Sequence, residues 1–278
     1  MATPENAGIA TSLVYNVASL ARGTACATVI ALALIAPAVR WASNSLGWGD
    51  RAMFVATTLL AHETMYLGVH AFSVWAEATL GSCKIARKAS QVPAQSLIRR
   101  ALIKGLVSHA LLQPPVLWLV HRYLFAFASR ADSLALMAMH LAICQFSECF
   151  LFFASHRLLH SRALYPLHKV HHEFKGSVAI AAEYSHPVES LLGNYVPIAL
   201  APVLLGVSLE VWLTWLCWRL WATYERHSGF DFSRTFIGRL GLMHGHGARY
   251  HDNHHTLNNG NFGSGLDFFD VLCGTRVW

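Results

Sequence analysis

The chain has 278 residues, of which 54% are hydrophobic and only 13% charged, and its mean hydropathy is +0.39. Soluble domains carry about 25% charged residues, so this composition excludes a disordered chain, a coiled coil and a typical cytosolic enzyme. The formal net charge is +6, and on so apolar a chain a basic excess marks the cytoplasmic face rather than a nucleic-acid-binding surface. We therefore expect an integral membrane protein that does not bind nucleic acid.

Four apolar stretches in the first 155 residues are each long enough to cross a membrane. They cover residues 23–39, about 52–80, 105–128 and 134–155, with polar or charged residues between them. Because about 20 apolar residues span the hydrocarbon core of a bilayer as a helix, we expect about four transmembrane helices here.

A basic segment between the second and third stretches orients the chain. From Lys84 to Lys104 it carries six Lys and Arg residues and no acidic residue, and short loops rich in these residues stay in the cytoplasm. We therefore expect a cytoplasmic loop that binds anionic lipid or, as the weaker alternative, docks an acidic electron donor.

Residues 191–224 form a further apolar region and predict a membrane hairpin. At about 1.5 Å per residue the region is too long for one ordinary span, and it fits two short or tilted helices that turn near Gly206. Such a hairpin keeps His172 and His227 on the same side of the membrane. Tryptophans in its second half favour an aromatic belt at the membrane interface over the lining of a substrate path. These are Trp212, Trp215, Trp218 and Trp221.

Histidine is the residue whose number stands out, with 17 in the chain, of which 12 lie between His156 and His255. Three clusters place histidines three or four residues apart, a spacing that brings their side chains to one face of a helix. One is H-x3-H and two are H-x2-HH. The clustered histidines are His156, His160, His168, His171, His172, His251, His254 and His255.

These clusters indicate a metal site with two ions. One tetrahedral site needs only three or four protein ligands, which is fewer than the clusters supply. Imidazole suits iron, zinc and copper alike, so the ligand type leaves the metal open. Few acidic residues lie inside the clusters, which disfavours a carboxylate-bridged bundle site. The sequence therefore predicts a dinuclear centre held almost entirely by histidine at a membrane surface.

Two more histidines, His186 and His227, are expected to bind or border this centre. Each is flanked by carboxylates in sequence, and metal-bound histidines commonly donate their second ring N–H to such a group. The carboxylates considered for this supporting role are Glu148, Glu183, Glu189 and Asp252. Isolated histidines within the apolar stretches are instead expected to form hydrogen bonds between helices. These are His62, His70, His109, His121 and His140.

The residues from Glu148 through the first two clusters to Glu173 resemble the membrane-bound fatty acid hydroxylase superfamily. Within it, residues 183–189 and 227–232 are most similar to the 4-methyl sterol oxidase (methylsterol monooxygenase) branch, and so are residues 261–270 with Gly274-Thr275. The chain departs from that branch at Cys149, where an acidic residue is usual, and at Tyr250, which replaces a histidine.

The resemblance implies an all-α integral membrane bundle with a cytoplasmic, histidine-rich metal-binding cap. Residues 1–147 would form an N-terminal membrane-spanning region with the basic loop. Residues 148–278 would form the di-iron domain, including the hairpin at about 190–225. The protein would lie in the endoplasmic reticulum with its histidine clusters in the cytoplasm.

The resemblance also implies a non-heme di-iron monooxygenase that oxidises a methyl group of a sterol or related triterpenoid with dioxygen. It implies two iron ions and no catalytic residue beyond the metal centre. Electrons would come from cytochrome b5 or from NAD(P)H through a reductase, since the chain has no Gly-rich nucleotide fingerprint. The oligomeric state stays open.

Alternative functions use the same residues differently. A fatty acyl or sphingolipid hydroxylase, or a sterol desaturase, would share the metal centre and differ in product. A histidine-rich metal transporter is the non-enzymatic alternative, and it would place histidines inside spans along a conduction path. Here the clusters instead adjoin the spans on one side.

Overall fold

The computed structural model describes residues 17–18, 21–22, 24–25, 28–29, 31–124, 132–232, 235–236, 246–264 and 266–277. The first predicted span, residues 23–39, and the end of the third lie partly outside this range. Within it the fold is all-α, as expected, and its β-structure is limited to an isolated bridge between Lys84 and Phe230.

Eleven α-helices are present among the described residues. In chain order they are α1 (Ala36–Leu46), α2 (Asp50–Thr79), α3 (Gln95–Val107), α4 (Gln113–Leu124), α5 (Leu134–Leu159), α6 (Tyr165–His168), α7 (Pro187–Glu189), α8 (Val196–Leu205), α9 (Leu209–His227), α10 (His246–Leu257) and α11 (Phe268–Cys273). Wider π-turns cover Ala31–Ile35, Ser108–Leu112 and Ser190–Tyr195, and tighter 3₁₀ turns cover Gly81–Cys83, Ala89–Gln91, His171–Glu173 and Ala179–Glu183.

Three helical stretches among the described residues are long and apolar enough to cross a membrane, and these are Ala89–His121, Leu134–Leu159 and Pro187–Leu205. Large apolar side chains such as Leu119 and Leu204 are exposed on their outer faces, which suits contact with lipid rather than water. Helix α2, with Glu63 and Glu77 in its sequence, is not among the three. The protein is therefore an integral membrane protein, and the expected number of spans stays a prediction.

The hairpin turns where the sequence predicts it. Helix α8 ends at Leu205, and Gly206 then adopts a left-handed φ of 60°, a conformation that costs glycine little because it has no Cβ. The hydroxyl of Ser208 accepts a hydrogen bond from the backbone N–H of Val211 at 3.4 Å and caps α9. The left-handed Gly206 and the Ser208 cap together reverse the direction of the chain within three residues.

Helix α9 carries the main apolar core. Trp212, Trp215 and Trp218 are buried against residues of α2 and α5, among them Phe54 and Leu141. The indole N–H of Trp212 donates to the Thr58 hydroxyl at 3.1 Å, and that of Trp215 donates to the Ile198 carbonyl at 2.9 Å. The interpretation as an interfacial belt is therefore wrong for Trp212, Trp215 and Trp218, because apolar packing holds them inside the bundle.

The basic segment differs from the expected loop in two ways. Its second half is helical, since α3 begins at Gln95. Several of its basic side chains form ion pairs with other residues of the chain. Arg87 pairs with Asp252 at 3.1 Å, and Arg100 pairs with Glu173 at 2.8 Å. These contacts place the basic segment on the same side of the bundle as the histidine clusters and leave fewer charges for a partner.

Replacing Trp215 with Ala should lower the free energy of unfolding by about 3–5 kcal/mol, because the side chain is buried and its removal leaves a cavity. The thermal midpoint of the detergent-solubilised protein measures this loss. Trp75→Ala is the matched control, since Trp75 is 51% exposed on α2. Equal shifts for the two variants would contradict the assignment of α9 as the core.

Candidate metal centre

The structure gathers nine histidines into two adjacent groups in which one ring nitrogen from each histidine lies within 4.8 Å of the others of its group. Group A consists of His156, His160, His168, His172 and His254. Group B consists of His171, His227, His251 and His255. Eight of the nine are buried, and His160 is partly exposed.

Each H-x2-HH cluster supplies both groups. Neighbouring residues on a helix point about 100° apart, so adjacent histidines cannot face the same ion. His171 therefore joins group B while His172 joins group A, and His255 and His254 divide in the same way. The groups meet where the ring centroids of His172 and His255 lie 4.9 Å apart. This arrangement fits two ions held side by side.

Backbone carbonyls fix the protonation of the rings. His156 Nδ1 lies 2.8 Å from the Phe262 carbonyl oxygen, and His254 Nδ1 lies 2.7 Å from that of Gly260. A carbonyl oxygen only accepts, so each Nδ1 carries the proton and Nε2 keeps a lone pair. Group B is held in the same way by the carbonyls of Tyr184, Thr223 and Phe174, which accept from His171, His227 and His255.

The Nε2 atoms of the grouped histidines point at one another. In group A, Nε2 of His172 lies 3.0 Å from Nε2 of His168 and 3.1 Å from that of His254. In group B, Nε2 of His251 lies 2.8 Å from that of His227 and 3.1 Å from that of His255. His171 and His227 both donate their Nδ1–H groups to carbonyls, so the two Nε2 lone pairs face each other at 3.5 Å and repel. Positive charge at the centre of the group would relieve this repulsion.

Protons do not supply that charge at neutral pH. Burial, which penalises the charged form, is the main reason that the pKa of His160 and that of His171 fall to about 4 and that of His254 to about 3. Nε2 of His160 is also buried without a hydrogen-bond partner. Neutral imidazoles with inward lone pairs and orphaned nitrogens are the donor set of a transition-metal site, so the residues fit two metal ions.

His186 lies outside both groups. Its Nδ1 accepts the backbone N–H of Val188 at 3.2 Å and caps the short helix α7. His227, by contrast, belongs to group B. The two histidines that the sequence treats alike therefore occupy different surroundings.

Of the four carboxylates expected to support the ligands, Glu189 contacts a grouped histidine, with Oε1 at 2.8 Å from His168 Nδ1. Glu148 instead pairs with Arg219 at 2.6 Å. Asp252 accepts from Arg87 and from the backbone N–H of Ser177. Glu183 faces His62 and His109, away from both groups. Three of these carboxylates thus hold the segments around the centre rather than its ligands.

Asp270 organises the loop that supplies two of the carbonyl acceptors. Its carboxylate accepts the backbone N–H groups of Phe262 at 2.9 Å and Gly263 at 2.7 Å, together with the hydroxyls of Tyr250 and Thr275. Tyr250, which departs from the sterol oxidase pattern, therefore ties α10 to this loop. Sequence reasoning misses such carbonyl acceptors because every residue has one.

The chain matches known proteins over the region that contains these groups. Residues 141–275 match the fatty acid hydroxylase family. Methylsterol monooxygenase 2-2 of Arabidopsis thaliana is 36% identical over 132 residues, which is 46% of this chain and 48% of that protein. Methylsterol monooxygenase 1 of Rattus norvegicus is 36% identical over 126 residues, which is 44% of this chain and 41% of that protein.

A longer match comes from a very-long-chain aldehyde decarbonylase of Oryza sativa subsp. japonica, which is 28% identical over 246 residues, covering 84% of this chain and 90% of that protein. No solved structure is significantly similar to the chain.

Asp270→Asn should reduce metal binding about 10- to 100-fold, as loss of groups that orient ligands commonly does. The amide would present N–H groups to the loop N–H donors and displace the carbonyls that orient His156 and His254. Metal affinity measured by equilibrium dialysis tests this. Asp267→Asn is the control, because Asp267 pairs with Arg276 at 3.1 Å. Equal losses in both variants would count against the role of Asp270.

The metal-free protein should lose stability as the pH falls below about 6.5. The unfolded histidines have a pKa near 6.5, while burial holds the pKa of His160 and His171 at about 4 when folded. Between these values the unfolded chain binds more protons, so each such histidine lowers the free energy of unfolding by about 1.4 kcal/mol per pH unit. Thermal midpoints of chelated protein from pH 7.5 to 5 measure the slope. A flat profile would contradict the neutral, buried state of these rings.

Proposed function

We propose that this chain, which belongs to the fatty acid hydroxylase superfamily and is similar to its methylsterol branch, is a di-iron monooxygenase that oxidises a methyl group of a sterol or related triterpenoid. The observation that carries this proposal is the pair of histidine groups with inward lone pairs. Groups A and B would each hold one iron ion, and His186 would hold none. Bound iron would supply the activation of dioxygen.

The reaction is balanced as R–CH₃ + O₂ + 2 e⁻ + 2 H⁺ giving R–CH₂OH + H₂O. The electrons need a separate donor, and cytochrome b5 or a reductase that uses NAD(P)H fits this need. The protein would lie in the endoplasmic reticulum with its histidine groups facing the cytoplasm. The Lys84–Lys104 segment on the same side supports that orientation under the positive-inside rule.

A narrow recess lies beside the two groups. Phe152, Leu159 and Ala182 line it together with His168 and His171. These apolar side chains would contact the methyl group that is oxidised and exclude water from the histidines.

Charged side chains line another part of the recess. Arg219 pairs with Glu148, while Nε of Arg226 is buried without a hydrogen-bond partner. A guanidinium in this position would bind an oxygen of the substrate or of an oxidised product.

The histidine arrangement supports an enzyme over a metal transporter. The nine histidines converge at helix ends, with His156 in the last turn of α5 and His227 at the end of α9. A conduction path would need ligands distributed along the spans. Fatty acyl or sphingolipid hydroxylation and sterol desaturation remain alternatives with the same metal centre.

The test is turnover of a 4,4-dimethyl sterol by the purified, detergent-solubilised chain with cytochrome b5, its reductase and NAD(P)H. We expect hydroxymethyl, aldehyde or acid products. Iron without sterol oxidation would overturn the sterol assignment, and parallel assays with fatty acyl, sphingolipid and aldehyde substrates would identify the alternative from its product.

His172→Ala combined with His255→Ala should remove two iron ions relative to the wild type and abolish turnover, because one ligand is lost from each group. His186→Asn keeps a side-chain acceptor at the start of α7 and should retain both ions. Metal analysis of the purified variants measures this. If the double variant kept its metal and its turnover, the di-iron proposal would fail; metal loss in His186→Asn would make His186 a ligand.

A further inference from the structure

A third group of histidines and carboxylates lies outside groups A and B. His62 and Glu63 come from α2, His109 comes from the Ser108–Leu112 π-turn, and Glu183 ends the Ala179–Glu183 turn. The side chains of His62 and His109 are only 12% and 8% exposed. The sequence predicts hydrogen bonds between helices for both histidines, and the structure brings them onto the same two carboxylates.

Glu183 receives one nitrogen of each ring. His109 Nε2 lies 2.6 Å from Glu183 Oε2, and His62 Nε2 lies 3.4 Å from Glu183 Oε1. The hydroxyl of Tyr224 also donates to Oε1. Burial raises the pKa of Glu183, but the hydrogen bonds from His109 and His62 outweigh it and hold that pKa below its usual range. An ionised Glu183 therefore accepts both Nε2–H groups and fixes the tautomers.

The other nitrogen of each ring, Nδ1, faces a second carboxylate, that of Glu63. Nδ1 of His62 and Nδ1 of His109 each lie 3.1 Å from the same oxygen, Glu63 Oε1. A neutral imidazole has one N–H, which Glu183 already receives, so in neutral rings both Nδ1 atoms direct lone pairs at an anionic oxygen. Either a second proton on each ring or one divalent ion between the rings and Glu63 would supply the positive charge that these contacts need. The other tautomer of each neutral ring would donate to Glu63 and direct its lone pair at Glu183 instead. The two neutral rings carry two N–H groups for four nitrogen–carboxylate contacts, so two contacts always lack a proton.

We propose that His62, Glu63 and His109 bind a third metal ion, a divalent first-row transition metal distinct from the pair at groups A and B. One ligand atom from each of the three side chains lies within 4.8 Å of the other two. Metal–ligand bonds of about 2.0–2.2 Å place neighbouring ligand atoms about 3.0–3.5 Å apart, which matches the observed 3.1 Å contacts. Two imidazoles and one carboxylate suit iron(II) or zinc(II).

Glu183 has the supporting role at this site. A carboxylate that accepts the far ring N–H of a metal-bound histidine orients the ring and raises its basicity. Here a single carboxylate serves both ligand histidines, and its charge, with that of Glu63, balances a divalent ion. The third site is therefore neutral overall, unlike groups A and B.

The third site is connected to the histidine centre through the backbone. Glu183 precedes Tyr184, whose carbonyl accepts from Nδ1 of His171 at 3.2 Å. Ala182, on the other side of Glu183, lines the recess. A metal ion at the third site would therefore fasten α2 and the π-turn to the segment that orients a ligand of group B. We assign it a positioning role.

The experiment is a cobalt(II) titration of the chelated, detergent-solubilised full chain, with bound ion counted by equilibrium dialysis and its ligand field followed by visible absorption. Wild type should bind three equivalents. Glu63→Gln keeps the shape of the side chain and removes its charge, so it should bind two. His62→Gln combined with His109→Gln should also bind two, and the absorption of the third ion should disappear in both variants.

The matched control is His140→Gln, since His140 is a buried histidine of α5 outside the three groups. It should bind three equivalents. Two equivalents in the wild type, or three in Glu63→Gln, would overturn the proposal and leave a network in which both imidazoles are protonated. Glu63 is the most exposed of the four side chains, at 36%, so its variant folds even if the histidine double variant does not.

The third site does not depend on the proposed function. In the His172→Ala/His255→Ala variant, loss of the ions of groups A and B should leave one equivalent that Glu63→Gln then removes. If groups A and B bound no metal in any variant, the oxygenase proposal would fail while a single equivalent sensitive to Glu63→Gln would still establish the third site.

Discussion

Nine imidazole rings converge with ring nitrogens facing one another, and the rest of the structure makes this crowded arrangement possible. Carbonyl oxygens accept the Nδ1–H groups of five of these rings, among them His156 and His254, so the Nε2 lone pairs of those five rings have a fixed direction before any ion binds. Burial keeps rings such as His171 neutral. The free energy of metal binding would offset the cost of the arrangement and so couple metal content to the stability of the fold.

The apolar bundle supplies the rigidity that this constraint demands. The tryptophans of α9 pack into the core and place His227 at its end, and α5 ends at the first histidine cluster. The carbonyl acceptors lie in the connections and near helix ends, where backbone oxygens are not all used by the helix itself. Asp270 and Asp252 hold those connections through backbone N–H groups. The apolar helices thus fix the positions of the histidines, and the polar loops fix the orientations of their rings.

The sequence predicts the grouped histidines better than it predicts the residues that position them. The H-x3-H and H-x2-HH spacings identify eight of the nine grouped histidines, because helical periodicity depends only on the spacing of residues close together in sequence. Glu148, Asp252 and Glu183 look like ligand supports, yet they pair with Arg219, Arg87 and His109. Those partners lie 71, 165 and 74 residues away, so no spacing could reveal them. For the same reason the sequence does not predict the third group, because His62 and His109 lie in different segments that are far apart in sequence.

The distribution of carboxylates separates the two kinds of site. Groups A and B have imidazole ligands alone, with Glu189 behind His168, so two divalent ions there would keep most of their positive charge. Arg219 and Arg226 border the same recess, and Glu148 and Glu225 offset their charge. A cationic site of this kind favours the acceptance of electrons and attracts anionic groups. At the third group, Glu63 and Glu183 would cancel the charge of one ion, which suits an ion that positions its neighbours and takes no part in electron transfer.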